Sequence, residues 1–249
     1  MKDLGYFAPT DVGEALKFLA EYGEKATVLA GGTDLVPRIN YYELRPDNLM
    51  DIGKLGLNFI EDKGSMVVVG ATTTWNQVAD STILLEKMGV LTGAAKQGAC
   101  VAVRNAGTVG GNLVNASPAG DLTAVLLALD AELFLKSSDS ERTVPIQDFF
   151  TGPGKSVRKA NELLTEIRIP VPAGQTSFFK LGRRKALTLS VANTCVHLVM
   201  DGKRCKDARI SLGAMAPTPL RCVKAEAFIQ GKDVDAKVIS DCAAEAVAE

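Results

Sequence analysis

RNAGTVGGNLVNASPAGDL, residues 104 to 122, carries glycines at 107, 110 and 111, then Asn112, Asn115 and Ser117, then Asp121 at the start of an apolar run. Glycine lacks a Cβ, so backbone N–H groups there can converge on a ligand unobstructed, as a phosphate requires. VLAGGTDLVP, at 28 to 37, follows the same logic: a short apolar strand runs into Gly31-Gly32, with Thr33 and Asp34 next. Neither cluster is a G-x-G-x-x-G opening a helix after a strand, and no G-x-x-x-x-G-K-[ST] occurs. A Rossmann dinucleotide site and a nucleotide triphosphatase are therefore both unsupported. Taken singly, each cluster is more often a plain turn. Taken together, they are two phosphate-competent loops that could close on one extended dinucleotide, and the residues alone do not say which.

Outward from these clusters, the first third of the chain alternates helix and strand. Asp11 with Glu14 predicts a capping box opening a helix with Val12, Leu16 and Leu19 on one face. ATVLA (26 to 30) and MVVVGAT (66 to 72) read as buried strands, and Thr74 with Gln77 caps a helix holding Trp75, Val78 and Ala79. Asp121 to Leu129 is a strongly apolar helix, followed by the strand ELFLK at 132 to 136. After a TGPGKS loop, LLTEIRIP is a strand ending at Pro170. Then come three strand-like runs, TSFFKL, SVANTCVHLVM and KDARISLGAM. DGKR (201 to 204) suits a hairpin turn between the last two, and an alanine-rich helix runs from Val234. The boundary is placed near Pro172, giving domains of 1–172 and 173–249.

The 249 residues suffice for one large domain or two smaller ones. Hydrophobic residues make up 47% and charged residues 23%, an ordinary soluble composition. A net charge of −1 gives no pull toward nucleic acid or an anionic membrane. No apolar run approaches the ~20 residues of a membrane span, and MKDLGYFAPTD lacks the apolar stretch of a secretory signal. A cytoplasmic location is expected. The cysteines at 100, 195, 205, 222 and 242 are odd in number and none forms a C-x-x-C, so reduced, mostly buried thiols are expected. Cys195 and His197 would share one strand face. With a single histidine, a metal site there would need unidentified carboxylates, and no G-x-S-x-G accompanies that histidine as a triad nucleophile.

AGGTDL followed by AGTVGGNLVNASPAGDL resembles the paired FAD-binding motifs of the medium, flavoprotein subunit of molybdenum hydroxylases, the family of aerobic carbon monoxide dehydrogenases and xanthine and nicotinate dehydrogenases. Phe7, Pro9, Thr10, Glu14 and Leu16 in the opening segment, and FFTGPGKSVRKANELLTEIRIP at 149 to 170, share that resemblance, which covers nearly the whole chain. It implies an α+β fold: a FAD-binding domain of two α/β subdomains, and a smaller C-terminal domain with a three-stranded antiparallel sheet. By motif, Leu29, Ala30, Gly31, Gly32, Thr33, Asp34 and Leu35 would line the FAD pyrophosphate, mainly through backbone amides and the Thr33 hydroxyl. Gly98 and Ala99 match a segment next to the flavin. Thr108, Gly111, Asn112, Asn115 and Ser117 would hold phosphate and ribitol, and Asp121 ribose or ribitol hydroxyls, since a carboxylate accepts from hydroxyls and repels phosphate. Leu164 matches an apolar position beside the adenine or flavin ring. Lys180 matches a basic residue near the flavin pyrimidine edge, where positive charge favours the reduced anion.

Simpler roles compete: Lys180 as a solvated charge, Asp121 as a helix cap, Trp75 and the Phe149-Phe150 and Phe178-Phe179 pairs as packing. Arg183-Arg184-Lys185 is a basic loop or a docking surface. Family members of usual length carry a further helix past the position of Glu249, so a shortened C-terminal domain is expected. No cysteine-rich insert occurs, and the extra iron–sulfur cluster of benzoyl-CoA-type reductase subunits is not expected. The resemblance implies partners: a small subunit with [2Fe-2S] clusters, a large molybdopterin subunit that oxidises the substrate, and NAD or another acceptor. No residue of this chain need be a general acid or base. The alternative is a stand-alone FAD-dependent oxidoreductase, which would need its own acid–base residue beside the flavin.

Overall fold

The computed structural model of the protein describes residues 4–184 and 187–249. β1 (Gly5–Phe7), α1 (Val12–Tyr22), β2 (Ala26–Leu29), α2 (Leu35–Asn40) and β3 (Asn48–Asp51) form a small α/β layer, its strands parallel in the order β1-β3-β2. Parallel neighbours need crossovers, and α1 and α2 supply them. Asp11 caps α1 by accepting from Glu14 N at 2.9 Å, but the Glu14 carboxylate reaches back to Thr10 N at 3.1 Å, one residue before the cap. Ala15, Leu16 and Leu19 are buried against the sheet and Val12 is half-buried, as the helical spacing requires.

The next subdomain holds β4 (Ile60–Asp62), β5 (Met66–Gly70), α3 (Trp75–Asp80), α4 (Thr82–Gln97), α5 (Val101–Ala106), α6 (Val109–Asn115), α7 (Asp121–Ala128), β6 (Glu132–Lys136), β7 (Glu141–Pro145), β8 (Phe150–Gly152), β9 (Lys155–Ser156) and β10 (Leu163–Pro170). Its main sheet is antiparallel, in the order β4-β5-β10-β6-β7. Thr74 and Gln77 make a full reciprocal capping box on α3. The TGPGKS segment is a small hairpin of β8 and β9 and not a plain loop; Gly154 (φ +68) turns it. A bulge between Leu164 and Glu166 breaks the β10 register. Leu163 enters the core of the first layer while Leu164 enters the main core.

β11 (Gln175–Gly182), β12 (Ser190–Asp201), β13 (Arg204–Gly213) and β14 (Leu220–Arg221) form the antiparallel C-terminal sheet, followed by α8 (Val223–Ile229) and α9 (Ala236–Val247). The fold is thus the α+β arrangement expected, with one correction. The sheet has the three long strands and also a two-residue fourth, β14, too short to leave a periodic signal. Gly202 (φ +59) closes the hairpin read from DGKR. Every residue of α7 is buried, because the main core lies on one side and β12 and β13 on the other. A helix walled on both sides is apolar all round. Ser211 Oγ donates to Ala124 O at 2.7 Å, and Arg221 Nη1 to Asp130 Oδ1 at 2.6 Å, tying the sheet to this helix and its end.

Cys195, Cys205, Cys222 and Cys242 are buried, and burial pushes the Cys195 and Cys222 thiols up to about 12. His197 is buried too, its Nδ1 2.9 Å from Thr176 Oγ1. Among the described residues no group of three or more His, Cys, Asp or Glu is placed to hold a metal, and no helix is long and apolar enough to cross a membrane. Of the Arg183-Arg184-Lys185 cluster, Lys185 lies outside the described residues; the Arg184 guanidinium donates to Leu187 O.

Candidate cofactor-binding cleft

The two glycine clusters meet. A Cβ on Gly31 would stand 1.9 Å from the carbonyl oxygen of Ala106 and 2.6 Å from its carbon, so only glycine permits the contact. The second cluster is laced to the end of β5: Gly110 N donates to Ala71 O at 2.9 Å, Val109 N to Thr73 O at 2.9 Å, and Trp75 N to Gly107 O at 3.0 Å. A side chain at Gly110 would fall 2.6 Å from Ala71 O, which again demands glycine.

Beside this junction runs a cleft of about 1070 Å³, at the top of the ~300–1,000 Å³ common for small-molecule sites and suited to an elongated ligand. Ala30, Gly31, Gly32, Thr33, Asp34 and Leu35 line it from the first layer. Thr108, Gly111, Asn112, Asn115, Ser117 and Asp121 line it from the second, with Ala99 and Leu164. Leu29, Gly98 and Lys180 do not reach the wall. Leu29 ends its strand, its carbonyl accepting from Ile52 N at 2.9 Å. Gly98 lies flat beneath the Trp75 ring, where a Cβ would be 2.1 Å from Cζ3. Lys180 sits behind Asp121, its Nζ donating to Asp121 Oδ2 at 2.6 Å and to Thr188 O at 3.0 Å.

Several of these groups are already engaged. Both oxygens of Asp121, a buried side chain, are taken by the C-terminal domain: Oδ2 by Lys180, and Oδ1 by Ser190 Oγ at 2.5 Å and Asn193 Nδ2 at 3.2 Å. The Thr108 hydroxyl accepts from Gly111 N at 3.0 Å and Ser117 Oγ from Ala119 N at 3.3 Å. Asn112 Oδ1 differs: it is buried and has no partner within the protein, the state of an acceptor that awaits a donor from a ligand.

The charges of the cleft sort themselves. Glu162 is bound by a two-pronged Arg142 (2.7 and 2.9 Å); although burial disfavours its charge, Arg142 and the Lys159 N–H hold the carboxyl below the usual range. Asp34 pairs with Arg38 at 3.6 Å and Asp121 with Lys180. Lys155 and Arg158 also line the cleft, and among the described residues neither has a carboxylate at ion-pair distance. Arg158 Nη1 donates to Glu162 O at 2.6 Å and Lys159 O at 3.0 Å, and burial lowers its pKa. The unmatched charge in the cleft is positive, which favours an anion.

Sequence reasoning passed over some of this wall. Trp75, read as packing, also lines the cleft, as do Lys155, Arg158 and the Leu187–Leu189 stretch. The only available signal was local: the tryptophan follows a cap residue, and the two cations follow a glycine turn.

The fold and cleft define an α+β protein with a large cleft, positive in its unmatched charge, beside the contact of two glycine loops. Residues 2–172 match the family model described as the FAD binding domain in molybdopterin dehydrogenase, and residues 177–249 match that of the CO dehydrogenase flavoprotein C-terminal domain. Similarity to individual proteins runs the length of the chain. It is 31% identical over 242 residues to the glyceraldehyde dehydrogenase medium chain of Sulfolobus acidocaldarius, spanning 97% of this chain and 86% of that one. It is 34% identical over 245 residues to the carbon monoxide dehydrogenase medium chain of Hydrogenophaga pseudoflava, spanning 98% and 85%. A solved structure of carbon monoxide dehydrogenase from Hydrogenophaga pseudoflava superposes with a TM-score of 0.95 at 35% identity, covering 98% of this chain and 86% of that one. The chain belongs to the family of FAD-binding flavoprotein subunits of molybdopterin-dependent oxidoreductases.

Proposed function

We propose that this chain is the electron-transfer flavoprotein subunit of a molybdenum hydroxylase complex. In that role it takes electrons from the [2Fe-2S] clusters of a small partner subunit and passes them to NAD or another acceptor, while a large molybdopterin subunit oxidises the substrate. The observation that carries the reading is the cleft itself: two glycine loops in backbone contact, a surplus of positive charge, and the unpartnered Asn112 Oδ1 on its wall. FAD, when bound, supplies the redox chemistry, and the protein supplies binding and electrostatics.

Ala30 to Leu35 present backbone amides to the pyrophosphate in this reading, with Leu29 ending the strand behind them, and Asn112, Asn115 and Ser117 present side chains to the ribitol and phosphate. Thr108 and Gly111 act together through their cap hydrogen bond, which sets the second loop. Gly98 and Lys180 act from behind the wall. Gly98 seats Trp75 and Ala99, while Lys180 keeps the Asp121 carboxylate charge-balanced and places a cation near the flavin end. Leu164 contributes apolar surface. Residues 1–172 form the FAD domain and 173–249 the C-terminal domain, a division supported by where the two family matches end and begin. Five unpaired thiols suit the reducing cytoplasm, where we place the complex.

Co-purification of the native complex, with a flavin spectrum and metal analysis of the same sample, tests this. About one FAD per chain beside molybdenum and non-haem iron is the expected result. A chain that carries FAD and oxidises a substrate unaided would replace the subunit reading with that of a stand-alone flavoenzyme.

A further inference from the structure

The turn that closes α4 forms part of the cleft wall, and its backbone is in a state that its own sequence does not favour. Ala99 lines the cleft with φ +48, the left-handed region that a residue with a Cβ seldom adopts. Such a conformation persists only where the surroundings over-determine it. Three contacts do so here. The Trp75 ring lies on Gly98, leaving no room for a side chain. Lys180 Nζ donates to Gln97 O at 3.4 Å. Arg104, on α5, directs Nη1 at two carbonyls of the turn, Gly98 O at 2.9 Å and Lys96 O at 3.3 Å.

Of the three, Arg104 is the anomalous one. It is half-buried, it does not line the cleft, and its Nε is buried without an acceptor. Among the described residues no carboxylate pairs with it. A guanidinium held by carbonyls, with one donor stranded, is a poor arrangement for stability alone. The planar fork is suited to gripping adjacent carbonyl oxygens, which an ammonium grips less rigidly. We infer that Arg104 is a positioning residue: by holding the Lys96 and Gly98 carbonyls it keeps Ala99 left-handed, and so pre-shapes the cleft wall for the flavin. The inference rests on the reading that the cleft binds FAD.

The test titrates the full-length apo chain with FAD, following flavin fluorescence and visible circular dichroism, for the wild type, R104A, R104K, A99G and R104A/A99G. R104A is expected to weaken FAD binding about tenfold or more, and R104K by a smaller factor, with the dichroism of the bound flavin altered in both. Glycine adopts the left-handed conformation freely, so A99G introduced into R104A should recover part of the lost affinity. A purely structural arginine would show no such coupling. If wild type binds FAD and R104A binds equally, with an unchanged flavin spectrum, the inference fails while the functional reading stands. Should R104A not fold, R104K decides by the same criterion: wild-type affinity and dichroism overturn the role. A wild-type chain that does not take up FAD sinks both.

Discussion

Replacing Gly31 by alanine places one methyl group where the two halves of the cofactor domain touch. The added carbon would lie 1.9 Å from the Ala106 oxygen, 2.6 Å from its carbon and 3.0 Å from Gly107 Cα. All three are backbone atoms, so no side chain can swing aside. Ordinary contact begins at 3.4 Å, and relief therefore requires the loops to part by roughly 1.5 Å. Overpacking of this kind costs about 1–3 kcal/mol. The displacement falls on both cleft-lining loops at once, so the larger effect is expected on FAD binding: a Kd weaker by about 10- to 100-fold, equivalent to about 1.4–2.8 kcal/mol. Fluorescence titration of the apo chain with FAD measures this, and a thermal melt of the same sample measures stability. Gly93, in α4, is the control, since nothing lies within 4 Å of a Cβ there. G93A should leave the Kd unchanged and stabilise by about 0.5–1 kcal/mol, because glycine inside a helix is unfavourable. A G31A chain that binds FAD within about threefold of wild type would refute the argument that the loop contact sets the cleft.

Two further outcomes follow from charge placement. K180M strips the buried Asp121 carboxylate of its cation and leaves it with Ser190 and Asn193. The expected cost is about 3–5 kcal/mol in urea unfolding, with K180M/D121N losing less than the sum of the single changes; a K180M loss below about 1 kcal/mol would contradict the pairing. His197 has its pKa lowered, first by burial and then by the Arg209 charge. The unfolded chain consequently binds a proton at this site more readily than the native one. Its contribution to stability is full above the ordinary value of about 6.5 and declines as pH falls from there toward the lowered native pKa. Melting temperatures across that window should fall less steeply for H197N, which can still offer Thr176 a partner; parallel curves would exclude the assignment.

Much of the fold was legible because its signals are local. The strands Glu132–Lys136 and Leu163–Pro170, the capped helix at Thr74 and the apolar helix from Asp121 stand where period, cap and composition predict them. Long-range contacts were not legible. Nothing in the chain announces that Lys180 closes on Asp121, or that Gly98 seats Trp75, because each pair is joined only by the tertiary fold. Asp121 illustrates the limit. Its motif marks a polar group beside the cofactor loops, yet its oxygens are occupied by residues of another domain. The kink at Met88 (φ −156), the β8–β9 hairpin and β14 were likewise hidden, being too short or too dependent on their neighbours. Lys155 and Arg158 carry no local signal of their own; their placement on the cleft wall depends on how that hairpin folds back, with Gly154 N donating to Ala116 O at 3.0 Å.

The helix α7 has one more implication, for modularity. Its residues belong to the cofactor domain by chain order, but half of their cover comes from β12 and β13. A gene cut at the Pro170–Pro172 connector would yield a fragment with an apolar helix uncovered on one side and a carboxylate stripped of its lysine. The two domains can be told apart by family and by sheet, but they were not free to be exchanged independently. Any recombination that gave this FAD domain a new companion had to supply, on the incoming sheet, a surface that fits α7 and a cation that meets Asp121.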